Sequence, residues 1–251
     1  MLNDIKFGRL IPKDRSYEQN YAFRKLGVGL PITVEKVFLH PPLRTFYDQG
    51  ETSACTGFSS TWQMSIYNQY RSILAGKDRQ LSYIKYNAPW LYQQACLNDG
   101  DPRNDPPLDV GGYVWSTFWV LNHLGHTRVG KVTPDLKDGI SSYYWCSSVD
   151  EMRTAFSLNR MVVIGVNWYS GFMSPEYKNG EYWVGTKTNL GQILGGHAIL
   201  CKGVSDKRQA FRLINSWGLG YPLVWLPYST MERLLREDGE AVVAVDKLTV
   251  T

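Results

Sequence analysis

Residues 48–58 read DQGETSACTGF, a Gln-Gly turn, a run of small polar residues and a single cysteine. Beyond it Phe58, Trp62, Ile66, Tyr70 and Ile73 recur every three or four positions. That period predicts a helix over 55–75 with one buried face, ended at Gly76. Cys55 therefore stands in the first turn of a helix, where unpaired N–H groups and the helix dipole favour a thiolate. Gln49 lies six residues upstream. A free cysteine more often packs as a small hydrophobe, so the meaning of this thiol depends on the rest of the chain.

Outward from that helix, the sequence divides by period. Ile84, Trp90, Leu91 and Ala95 predict a second helix over 83–96, which Pro89 should kink or interrupt. Further helices are expected over 113–123 and 149–158, the latter with Asp150 and Glu151 in its first turn. From residue 161 the pattern changes. The runs at 161–169, 197–204, 210–217, 222–227 and 241–248 are rich in β-branched and aromatic residues and bounded by turn formers. Helices followed by mostly antiparallel strands indicate an α+β fold. Residues 1–47, broken by LGVGLP and HPP, read as an extended arm laid over the body.

Composition narrows the function classes. The 251 residues suit one domain with a sizeable core, and 43% hydrophobic against 20% charged residues indicate a globular chain. The 27 basic residues are dispersed among 23 acidic ones, which argues against a nucleic-acid track. No apolar run approaches the roughly 20 residues of a membrane span, and the N-terminus lacks the apolar core of a signal peptide. A cytoplasmic or virion-associated location is expected. Cys55, Cys96, Cys146 and Cys201 are 41, 50 and 55 residues apart, which is neither a zinc-ligand pattern nor a disulfide framework. A reduced setting and no metal are the expectations.

A nucleophilic thiol needs a proton partner. Of the four histidines, His197 opens a predicted strand directly after LGG, and Asn215, in INSWG, follows eighteen residues later. Neighbouring strands would set the two side by side, with the amide oxygen orienting the imidazole. His123 and His126, in LNHLGHT, read as a helix end, and His40 as loop.

DQG with AC opening a helix, Gly-Gly-His at a strand start and NSWG, in that order, resemble the papain-like cysteine peptidases over about residues 46 to 228. His197 and Asn215 lie 142 and 160 residues beyond Cys55, close to the family's spacing of about 130–150. The resemblance implies one catalytic domain over 1–251. An arm (1–46) precedes a helical left subdomain (about 47–125), which packs on an antiparallel, β-barrel-like right subdomain (about 126–251). The active site would lie in the cleft between them. It implies Cys55 as nucleophile and His197 as its proton partner in an imidazolium–thiolate pair. Asn215 would orient His197, and Gln49 would donate to the oxyanion. Gly111, Gly112, Gly196 and Trp217 would be substrate-binding positions, with Trp217 shielding the His–Asn bond. No cofactor is implied, and the partners would be peptide or protein substrates, with other virion or assembly proteins as a further expectation.

The chain departs from the family pattern at Thr56, where an aromatic is usual, at Thr52 and Gly196, and after NSWG, where LGYPLVW lacks the second Trp-Gly element. These departures resemble divergent bacterial or bacteriophage members. Two other readings stand beside the peptidase: a papain-fold structural or binding module of a virus particle or secretion assembly, and a hydrolase acting on peptidoglycan cross-links.

Overall fold

The computed structural model describes residues 5–29, 33–38, 46–77, 83–104 and 109–246. Its helices are α1 (Ser16–Asn20), α2 (Cys55–Leu74), α3 (Ala88–Leu97), α4 (Val114–His123), α5 (Val149–Ser157) and α6 (Tyr228–Arg236). Its strands are β1 (Glu35–Val37), β2 (Ile140–Trp145), β3 (Val162–Tyr169), β4 (Glu176–Lys178), β5 (Glu181–Trp183), β6 (Ile193–Ser205), β7 (Ala210–Ile214), β8 (Val224–Pro227) and β9 (Glu240–Asp246). Leu81 and Ser82, which resemble part of the helical subdomain, and His40 lie outside the described residues.

The strands form one sheet in the order β2-β9-β3-β6-β7-β8-β5-β4, with β1 also paired to β6. All pairs are antiparallel except β5 with β8. Among the described residues the path runs from β2 to β4 without closing, so the β-rich part is barrel-like and not a closed barrel. β6 is its spine. Its first part pairs with β3, its last part with β7 and β1, and the register slips between Cys201 and Gly203. Such a bulge bends a strand and lets one strand serve two neighbours.

Helix α2 differs from the amphipathic helix that its period predicts. From Cys55 to Tyr67 every side chain is buried, because the helix runs between the other helices and the sheet. Its small and hydroxylated residues make that possible. A Cβ on Gly57 would fall 2.6 Å from the Cβ of Tyr92, so glycine sets the α2–α3 approach. Three of its buried hydroxyls pair with other elements, Ser60 with Thr117 (2.8 Å), Thr61 with His126 (3.0 Å) and Ser65 with Tyr47 (2.9 Å), whereas the Thr56 hydroxyl has no partner among the described residues. Buried polar groups left unpaired would each cost about 1–3 kcal/mol.

Pro89 neither kinks nor interrupts its helix. It lies in the first turn of α3, capped by the Asn87 side chain on the Trp90 amide (3.1 Å). The missing proline N–H is one that no helical carbonyl would have claimed.

Candidate active site

Three segments converge on Cys55. The first is the start of α2, which buries the thiol completely. The second is β6: the Ala198 N–H, next in the chain to His197, donates to the Cys55 sulfur across 3.4 Å. The third follows β7, where the Asn215 Oδ1 lies 2.8 Å from His197 Nε2. That oxygen also accepts from the Ser216 N–H (2.8 Å), and the Asn215 carbonyl accepts from the Trp62 indole of α2 (3.1 Å). With Nε2 engaged by an acceptor, the imidazole carries its proton there. Nδ1 is left without a hydrogen-bond partner among the described residues.

Trp217 lies against the imidazole, with ring centroids 4.8 Å apart, and Trp168 meets it edge-on at 4.9 Å. The two indoles keep water from the His197–Asn215 bond. Excluding water strengthens such a bond by lowering the local dielectric.

Gln49 is positioned by a short antiparallel contact between the segment ahead of α2 and the segment after β7. Its N–H donates to the Ser216 carbonyl (2.8 Å), and the Gly218 N–H donates to the Tyr47 carbonyl (3.0 Å). The Ser216 hydroxyl donates to Gln49 Oε1 (2.6 Å), which turns the Nε2 donor outward. That donor is occupied by the carbonyls of Thr52 (2.7 Å) and Lys6 (3.3 Å).

Lys6 belongs to the N-terminal arm, and the arm fills the cleft. The Gly112 N–H donates to the Gly8 carbonyl (2.7 Å), and Gly112 in turn accepts from the Leu10 N–H (2.9 Å). On the opposite wall the Arg9 N–H donates to the Gly196 carbonyl (2.9 Å). Phe7 packs edge-on against His197 and Trp217. The glycines are what admit a polypeptide here: a Cβ on Gly196 would lie 2.2 Å from the Arg9 carbonyl oxygen, and one on Gly111 2.3 Å from the Gly8 oxygen. Gly112 provides the expected backbone pairing. Gly111 instead makes the turn, at φ +105°, and clears the space.

The arm determines the electrostatics. Burial pushes the Cys55 thiol up to about 11, against the opposing pull of hydrogen bonds from the Ala198, Gly8 and Thr56 amides. Burial also takes His197 down to about 4, while its bond to Asn215 pulls the other way. In this covered state both directions oppose the imidazolium–thiolate pair expected at rest. Both charged forms lose their hydration under the arm, and the neutral thiol and imidazole are favoured.

Gln49, Cys55, Gly111, Gly112, Gly196, His197, Asn215 and Trp217 thus lie along one cleft with the arm. Sequence reasoning missed the residues that lie between them: Phe7, Gly8 and Arg9, and the buried Glu240 that pairs with Arg9 (3.0 Å). The two other described histidines are held by packing. His126 is buried between Thr61 and the Thr127 amide and stacked on Tyr86, and burial lowers it to about 3. His123 stacks on Trp119. Cys96, Cys146 and Cys201 are buried free thiols. Among the described residues no group of three His, Cys, Asp or Glu side chains could hold a metal ion, and no helix is long and apolar enough to cross a membrane.

No known family's sequence model matches the chain, and no curated protein matches it by sequence. Solved structures do. Xylellain, a cysteine protease from Xylella fastidiosa, is similar with a TM-score of 0.66 at 17% identity, over 97% of this chain and 97% of that one. Procathepsin B S9 from Trypanosoma congolense is similar at 0.62 and 16%, over 94% of this chain and 84% of that one. The proform of the ragweed cysteine protease Amb a 11 follows at 0.54 and 17%, over 90% and 74%. The fold is that of the papain-like cysteine proteases.

Proposed function

From that fold, we propose that the chain is a cysteine peptidase that hydrolyses peptide bonds through an acyl-enzyme and is kept latent by its own arm. The observation that carries the reading is the Cys55 sulfur beside a buried His197–Asn215 pair, with a polypeptide threaded between Gly112 and Gly196 directly over it.

The chemistry follows from the positions. When a substrate carbonyl replaces the arm, His197 Nδ1 takes the Cys55 proton and the sulfur adds to the carbonyl carbon. The oxyanion meets the Cys55 N–H and the Gln49 Nε2, which departure of the arm frees from the Lys6 carbonyl. The imidazolium returns its proton to the leaving amine as the C–N bond breaks, which leaves a thioester on Cys55. Water, deprotonated by His197, then cleaves the thioester and regenerates the thiol. Asn215 holds the ring in the required tautomer throughout.

The arm escapes this chemistry by its direction. Its bridge to Gly112 is parallel, and the Gly8 amide donates to the sulfur. The nucleophile therefore faces a donor and not an electrophilic carbonyl.

Backbone pairing to both walls supports peptide or protein substrates. Neither the assembly-module reading nor the cell-wall reading draws support from a feature of the site. The test is hydrolysis of an unfolded protein by full-length chain carrying Gly8→Ala, which opens the cleft. Activity that vanishes with Cys55→Ala supports the proposal. Activity that survives Cys55→Ala overturns it.

A further inference from the structure

A second recess lies on the sheet, away from the cleft. Val37, Gly203, Arg212 and Trp225 stand side by side in register across β1, β6, β7 and β8. Residues opposite one another in register share a face of the pleat. A Cβ on Gly203 would fall 2.9 Å from Val37 Cγ2 and 3.1 Å from Arg212 Cβ, so glycine keeps the floor low. The recess measures about 420 Å³ and is lined also by Glu35, Glu181, Lys202, Arg208 and Leu223. That volume is in the range of small-ligand sites. None of these residues is among those that meet at Cys55.

The guanidiniums of Arg208 and Arg212 both lie over the Trp225 ring, 5.0 and 5.1 Å from its centre. Arg208 is paired: its Nε donates to Glu181 Oε2 (3.0 Å), while the Trp225 indole donates to Glu181 Oε1 (2.9 Å). Glu35 Oε1 accepts from the Ser205 hydroxyl (3.0 Å) and the Lys207 N–H (2.6 Å). Both carboxylates of the recess are therefore engaged. Arg212 has no salt-bridge partner among the described residues, and its Nη1 is buried without an acceptor. Burial pulls the pKa of Arg212 down, and Arg208 adds to this against the pull of Glu181. An arginine stays charged even so, and its N–H groups can only donate. Stacking on an indole answers its charge in part and its donors not at all.

The lining carries three cations, Lys202, Arg208 and Arg212, against two carboxylates, Glu35 and Glu181. The uncompensated charge is that of one carboxylate, not of a phosphate dianion, and a planar carboxylate matches the guanidinium fork. Beside the charge the walls are apolar, with Val37 46% exposed at the rim and Leu223 and the Trp225 ring further in. We propose that this recess binds a single carboxylate carried on an apolar body, with the carboxylate on Arg212 and the body against Val37, Leu223 and Trp225. A polypeptide can bring that group as its chain terminus or as an acidic side chain, and the test separates the two. The recess is independent of catalysis at Cys55, so it stands or falls apart from the peptidase reading.

Full-length wild-type chain, its cleft covered by the arm, is titrated by calorimetry with acetyl-leucine and with acetyl-leucine amide, which lacks the negative charge. The acid is expected to bind about tenfold tighter or more, as a charge-assisted bond to a partly desolvated guanidinium requires. Arg212→Met keeps apolar bulk over Trp225, removes the fork and should level the two. Val37→Glu sets a carboxylate at the exposed rim and leaves the guanidinium in place. It should weaken the acid by about threefold and leave the amide unchanged, so loss of folding in Arg212→Met does not remove the test. Equal affinities in the wild type, an acid preference that persists in Arg212→Met, or an acid affinity unmoved by Val37→Glu overturns the inference. Inorganic phosphate that binds tighter than acetyl-leucine overturns it as well. Acetyl-Glu-amide binding tighter than acetyl-leucine upholds the recess with an acidic side chain as its ligand, and the reverse order upholds it with a chain terminus.

Discussion

Gly8→Ala should unmask Cys55. The Cβ it adds would lie 1.8 Å from the Ser53 carbonyl oxygen. Ser53 cannot move aside cheaply, because its N–H is held by Asp109 (2.8 Å) and it leads directly into α2. The arm must retreat instead, and with it go three backbone hydrogen bonds, Gly112 to Gly8, Leu10 to Gly112 and Arg9 to Gly196. At about 1 kcal/mol each these hold the arm by about 3 kcal/mol. Separating the buried Arg9–Glu240 pair adds about 3 kcal/mol more. Regained chain freedom offsets about 1 kcal/mol for each of the four released residues. The wild-type arm therefore opens at a cost of about 2 kcal/mol, a protection of about 30-fold at 1.4 kcal/mol per decade. Opening also restores water to a thiol that burial holds near 11, and ionisation adds to the gain. The assay is iodoacetamide labelling at neutral pH, mapped by peptide mass, with buried Cys146 and Cys201 as internal controls for an intact fold. Cys55 is expected to label at least 30-fold faster in the variant while the controls stay unreactive, as that free energy requires. Equal labelling of Cys55 in both chains, with the controls silent, would refute the seal.

The remaining predictions concern the machinery beneath. Asn215→Ala leaves His197 Nε2 buried without its acceptor, and should lower stability by about 1–3 kcal/mol. In a Gly8→Ala background it should reduce kcat more than KM, read from progress curves on one peptide. Gln49→Ala in the same background removes an oxyanion donor and should cost about 10²–10³ in kcat. A change confined to KM would assign Gln49 to binding alone. His197 and His126 lie below the ordinary histidine value of 6.5, at about 4 and about 3, so the folded state resists protonation that the unfolded chain accepts. Their stability contribution is full above about pH 6.5 and is lost as pH falls, by about 3 kcal/mol each at pH 4. Glu240, raised by burial against the pull of Arg9, returns part of this below its ordinary value of 4.5. Urea midpoints at pH 7 and pH 4 measure the sum, and a higher midpoint at pH 4 contradicts it.

The legible parts of this molecule were those written in local pattern. The α2 period and the β runs are short-range signals, and each falls on a helix or strand as expected, whereas His197 lies inside β6 and Asn215 just past the end of β7. β6 begins earlier than its apolar run because Ile193 and Leu194 are exposed and the two glycines hide the strand. β2 was missed because Ser141 and Ser142 dilute its pattern. α6 was missed, although Tyr228, Thr230, Met231 and Leu234 form its buried face. The arm's role was illegible for a different reason. Nothing in KFGRL marks a cleft ligand, since its meaning depends on Glu240, 231 residues away. The one available signal was a glutamate at the head of the apolar run AVVAV, a charge that a buried strand end must pair with something.

The account stands most directly on acylation of Cys55. Full-length Gly8→Ala chain is mixed with an activated ester of a short peptide, quenched in acid and weighed intact. The account predicts one acyl group per chain, mapped to Cys55, absent from Cys55→Ala and formed more slowly with His197→Ala. A chain whose Cys55 alkylates freely but never carries the acyl group would contradict it.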